Sequence, residues 1–327
     1  MCYNYYMEKK NTSLLSALFA YLRNPRHDIK TSKQSIRSKF TDVLQYWSLG
    51  LVLAFLFGLF ISYALLKTQH GEVDNYLEDF FLDGSVLIVV FLVFFFGPII
   101  EEMTFRLVLR YSPINFSFFL LFVFLLFSQS DNIVGRFIQE NFIILERSMG
   151  WYLFLFVAFV LFCLIGIAMA QAIKSSKFSI VLEYIFENYF VYIFYSLACI
   201  FAFLHIFNYY NLDNFWLLMP VLVAPQFVIG LILSYIRMRY GITWSIFYHI
   251  LHNSLISIPV LVFSAISEQG NEIMDNSENF QISDLPTDDA RIMMWGTYFS
   301  IFVFILIILS FISLIRDHKK HKTLDKI

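Results

Sequence analysis

The chain alternates long apolar runs with short polar breaks, and the runs have the length of membrane crossings rather than of core helices. Eight runs approach the roughly 20 residues that a crossing needs: 43–66, 85–111, 114–128, 150–173, 180–207, 216–236, 242–263 and 293–315, the third being short. They predict an all-α, polytopic transmembrane bundle in which 43–315 is one membrane-embedded domain. The segments 1–42 and 316–327 on either side are polar and basic. The first has no apolar stretch ending in a small-residue cleavage site, so a removable signal peptide is not expected and the first crossing acts as the anchor.

Composition fixes the solvent. With 59% apolar, 20% aromatic and 15% charged residues, the sequence lies far from that of a soluble domain. The net charge of −2 matters less than its placement. With the basic N-terminus in the cytoplasm, eight crossings return the C-terminal Arg316, Lys319, Lys320 and Lys322 to the same side. Only Lys67, Arg136, Arg147 and Arg291 then fall outside, as the positive-inside rule requires. The acidic loops 68–83 and 264–292 also fall outside. They lack the register of a calcium-binding loop and read as solvated. Cys2, Cys163 and Cys199 show no metal or disulfide spacing. No internal repeat, phosphate-binding glycine loop, extramembrane domain or nucleic-acid partner is indicated.

Against this apolar background, a few ionisable residues inside the runs mark function. Glu101, Glu102 and Arg106 follow Gly97-Pro98 in the second run. Glu102 and Arg106, four residues apart, meet on one helix face, so Arg106 neutralises Glu102 as a structural pair. Glu101, turned about 100° around the helix, is the freer carboxylate and the better general base for activating water. His205 closes the run Phe201-Ala202-Phe203-Leu204, while His249 and Asn253 share a face of the seventh run. That imidazole and carboxamide can converge on one oxygen, as an oxyanion hole requires. His252 lies within a turn of His249 but points nearer the following turn and is secondary.

The motifs EExxxR at 101–106, FxxxH at 201–205 and HxxxN at 249–253 occur in the order seen in the CPBP intramembrane proteases, also called the Abi or CAAX-protease family. The chain resembles that family over about 98–255, with 114–175 as an inserted helical hairpin. The resemblance implies hydrolysis of a peptide bond of a membrane-associated polypeptide, with lipidated or prenylated chains among the candidates. It assigns Glu101 as the water-activating base, His205 to hold that water, and His249 with Asn253 to stabilise the oxyanion. The family is commonly labelled metalloprotease. Glu101, His205 and His249 approximate the two-histidine, one-carboxylate set of a catalytic zinc site, although HExxH is absent and the metal stays unassigned. For His205 to reach the depth of Glu101, residues 178–188 should lie along the inner interface and the true crossing should begin near Tyr189.

Two non-enzymatic readings remain. Intramembrane carboxylates and histidines also build ion or proton pathways in transporters, and a catalytically silent relative could act as a membrane scaffold or immunity partner.

Overall fold

The computed structural model describes residues 12–68, 90–128, 149–209, 219–264 and 285–324. The acidic residues at 72–83 and 268–284, the first part of the second run and Cys2 lie outside the described residues. Among the described residues the architecture is helical. Four helices are long and apolar enough to cross a membrane: Ile36–Tyr63, Val157–Ser175, Phe190–Asn208 and Thr287–Lys322. This is a membrane-embedded helical protein.

Helix α1 (Leu14–Arg23) is capped by Ser13, whose hydroxyl accepts from the Ser16 amide. The long α2 (Ile36–Thr68) changes environment along its length. Val43, Tyr46, Trp47 and Ser48 are buried, whereas Phe55, Leu59, Phe60 and Tyr63 face outward, as side chains meeting lipid tails do.

The second predicted run is not one helix. It consists of a π-helical segment, Val90–Phe96, then α3 (Gly97–Phe105), then a 3-10 turn at Leu107–Leu109. Proline in the first turn of α3 has no N–H to continue the preceding ladder. At the other end, carbonyls freed where α3 stops are taken by a side chain: Arg237 Nε donates to the Arg106 carbonyl at 3.0 Å and its Nη2 to Leu107 at 3.2 Å. Buried backbone acceptors need such partners, which makes a broken helix tolerable here.

Helices α4 (Pro113–Ser128) and α5 (Met149–Ser175) form the expected hairpin. Phe118 and Phe122 pack on Phe162, and Gly166 leaves room for the Phe118 ring. Most described α5 side chains face outward, so the hairpin is peripheral.

The run 180–207 divides into α6 (Phe178–Asn188) and α7 (Phe190–Leu204), breaking at Tyr189 where the sequence placed the start of the crossing. After α7 the chain tightens into a 3-10 turn, His205–Asn208. The run 216–236 likewise divides, into α8 (Met219–Leu222) and α9 (Ala224–Tyr240), with Pro225 in the first turn of α9.

Helix α9 is the centre of the bundle. It packs on α2, α7 and α10 (Ile242–Ser264), and from Ile229 to Tyr240 nearly every residue is buried. Gly241 alone separates α9 from α10. Its φ of 108° is a conformation that a side chain would strain, and there the chain reverses direction. Helix α11 (Thr287–Leu324) closes the bundle against α2 and α10.

The first and last described helices meet. Ser13 Oγ lies 2.9 Å from His318 Nδ1, and the Leu14 amide donates to Asp317 at 3.0 Å. The same end gathers Arg110, which donates to the Ile29 and Met238 carbonyls, and Tyr240, which donates to Asp42.

Candidate active site

Helices α3, α7 and α10 bring the singled-out residues to one cavity of about 510 Å³. Glu101, His205, His249 and Asn253 all line it. So does His252, which helix direction alone had set aside. Its ring stacks on Tyr248, with centroids 6.1 Å apart and planes 15° apart. Gly50 of α2 lies against the Tyr248 hydroxyl, where a methyl group would not fit.

The two adjacent glutamates occupy different environments. Glu102 is fully buried, while the Glu101 side chain is 29% exposed, so Glu101 is indeed the freer carboxylate. Glu102 is the hub of a buried cluster. Its Oε1 accepts from His249 Nδ1 at 3.0 Å, its Oε2 accepts from the Ser245 hydroxyl, and Arg106 Nη1 stands 3.6 Å away. The sequence placed Arg106 opposite Glu102, and the structure does so. It adds His249 and Ser245 to the same carboxylate.

With Nδ1 directed at Glu102, the other nitrogen of His249 faces the cavity, where Nε2 lies 3.6 Å from Glu101 Oε2. One imidazole therefore bridges both glutamates. An imidazole held from behind by a carboxylate has its ring orientation fixed, the device by which proteins aim a histidine.

Phe201 is the packing centre of the site. The Arg106 guanidinium lies 3.8 Å from its ring centroid, and the ring meets His205 edge-on at 4.7 Å and His249 at 6.0 Å. The Arg106 guanidinium nitrogens make no hydrogen bond among the described residues, so this buried cation is held by Glu102 and by the face of Phe201. Gly230 sits against both Phe201 and Arg106, which lets α9 approach them.

His205 is placed by the end of its own helix. Its Nδ1 lies 2.8 Å from the Phe201 carbonyl, one turn back, which leaves Nε2 for the cavity. Asn253 donates from Nδ2 to the Val93 carbonyl at 3.2 Å, tying α10 to the π-helical segment.

A zinc site does not fit. Among the described residues no group of three or more His, Cys, Asp or Glu could hold a metal ion. Each of His249 and His205 keeps its Nε2 toward the cavity, but Glu101, His205 and His249 do not close into a ligand set. The chemistry these residues can perform rests on a carboxylate, two imidazoles and a carboxamide.

Sequence reasoning missed Ser245, Ser257, Asn208, Tyr209 and Gln226. The last four line the cavity, and Ser245 supports Glu102. The serines carried a signal: Ser245, His249, Asn253 and Ser257 recur every four residues, which places them along one face of α10. Asn208, Tyr209 and Gln226 lie around helix breaks, where periodicity is silent.

No family model, curated protein or solved structure matches the chain.

Proposed function

We propose that this protein is an intramembrane endopeptidase that hydrolyses a peptide bond of a membrane-associated polypeptide, lipidated or prenylated chains being candidate substrates. The observation that carries the reading is the convergence of Glu101, His205, His249 and Asn253 on one cavity, with Glu102 holding His249 from behind. This is the set that the CPBP resemblance assigns, drawn together from three separated helices.

In this mechanism, water sits between Glu101 and His205. Glu101 takes its proton as the oxygen attacks the scissile carbonyl carbon, and the carbonyl electrons move to oxygen. The oxyanion receives a hydrogen bond from Asn253 Nδ2 and another from His249 Nε2. His249 donates from Nε2 while Nδ1 donates to Glu102, so it acts carrying both ring protons. Glu101 then passes its proton to the amide nitrogen, the C–N bond breaks, and a carboxylate and an amine leave.

The proposed topology has eight passes with both termini in the cytoplasm. Support comes from the contacts of Ser13 with His318 and of Leu14 with Asp317, which put the start of α1 beside the last turns of α11, as an even number of crossings requires. Arg23, Arg110, Arg237 and Arg239 lie at helix ends facing this side in that topology, and His321 and Lys322 in the last turn of α11 join them.

The test is cleavage of a panel of membrane-anchored and prenylated reporter peptides by purified protein, with and without a chelator. Wild type cuts at least one reporter, and Glu101→Ala and His205→Ala do not. Loss of ion or proton flux in liposomes on Glu101→Ala, with every reporter intact, would replace the protease by a transporter.

A further inference from the structure

Asn253 would be a useful oxyanion donor only if its NH2 group, not its carbonyl oxygen, faces the substrate. The two ends of a carboxamide have nearly the same shape, so something must select one.

The backbone beside Asn253 supplies the selecting group. Val90–Phe96 is π-helical, the register in which a carbonyl is matched to the N–H five residues on. Leu92 is matched to Gly97, and a methyl group on Gly97 would press on the Leu92 carbonyl at 3.0 Å. The partner of Val93 in this register is residue 98. Residue 98 is a proline, which has no N–H to give. The Val93 carbonyl therefore has no N–H to receive five residues on, and at 3.2 Å it accepts from Asn253 Nδ2.

We propose that the main-chain carbonyl of Val93, freed by Pro98, is a positioning group that fixes the carboxamide of Asn253 with its NH2 end toward the reacting carbonyl. Nδ2 carries two hydrogens. One is spent on Val93, and the second is left to donate into the cavity that Val93 and Asn253 both line. A carbonyl oxygen repels the Oδ1 end, so the flipped orientation is disfavoured. The π turn is thus part of the site, as such turns often are. The catalytic consequence rests on the endopeptidase reading, whereas the orientation of the carboxamide does not.

Protein labelled with 15N-asparagine tests this directly. The side-chain resonances of Asn253 are identified by their disappearance in Asn253→Asp. Pro98→Ala supplies the missing N–H, which competes for the Val93 carbonyl, and the Asn253 side-chain protons should move upfield as their acceptor is lost. Reporter cleavage should fall about tenfold in kcat with KM within about twofold, less than the ~10²- to 10³-fold loss of removing a donor outright.

Gly97→Ala disturbs the same turn from the other side and should move the same resonances, should Pro98→Ala not fold. Resonances that stay in place in both variants would overturn the proposal, whatever happens to kcat. Resonances that move while wild type cleaves no reporter would uphold the positioning role and defeat the endopeptidase reading.

Discussion

Replacing Glu102 by glutamine keeps the shape of the side chain and removes the charge that the buried cluster is built around. Arg106 Nη1 is 3.6 Å from Glu102 Oε1, and both groups are almost fully buried. At an effective dielectric of about 20, unit charges at that separation attract by roughly 4–5 kcal/mol. Breaking one side of a buried pair costs about 3–5 kcal/mol, because the surviving charge stays behind without its nearest counterion. Arg106 has no other hydrogen bond to fall back on among the described residues. Glutamine would also lose the charge-assisted bonds from His249 and Ser245. The expected destabilisation is therefore about 3–5 kcal/mol, read as reduced resistance to unfolding in detergent. Activity in the surviving folded fraction should fall about 10- to 100-fold as His249 loses the group that orients it. A double-mutant cycle with Arg106→Gln isolates the pair, and a coupling of at least about 1 kcal/mol is expected between residues in contact. Additive effects, or a Glu102→Gln protein as stable as wild type, would refute the view of Glu102 as the hub.

Other expectations follow from single features. Asn253→Ala should lower kcat about 10²- to 10³-fold with little loss of stability, measured on any reporter that wild type cuts. Gly241→Ala should cost about 1–3 kcal/mol in unfolding free energy, since φ of 108° there suits only glycine. A chelator should leave the cleavage rate unchanged, because the donors do not assemble a metal site; recovery of lost activity on adding zinc would contradict this. Lys33→Cys and Lys322→Cys, both at exposed positions, should react with an impermeant thiol reagent from the same face of sealed vesicles. Opposite faces would rule out the even number of crossings.

Much of the site was legible because a membrane simplifies the code. In an apolar run an ionisable residue is conspicuous, and helical spacing says which ones share a face. The pairing of Glu102 with Arg106 and the greater freedom of Glu101 followed from that rule. The break at Tyr189, with α7 starting at Phe190, followed from the depth His205 had to reach. What spacing does not encode is contact between helices. The bond from His249 Nδ1 to Glu102 joins residues far apart in sequence, and it depends on how α3 leans on α10. Length counting also misread the second run as a single helix, because hydropathy is blind to backbone register. Pro98 and the capture of the Arg106 and Leu107 carbonyls by Arg237 make that region a π turn, a short helix and a 3-10 turn instead. His252 was set aside on helix direction, yet the cavity wall follows α10 far enough around to include it.

The most direct measurement is the turnover of one cleavable membrane-anchored reporter by wild type and by Glu101→Gln, with folding of both checked by thermal unfolding in the same detergent. If Glu101 activates the attacking water, the variant folds like wild type, because the side chain is partly exposed, and cleavage falls by at least about 10²-fold, the lower range of general-base loss. A folded Glu101→Gln protein that cleaves at the wild-type rate would show that this carboxylate is not the base.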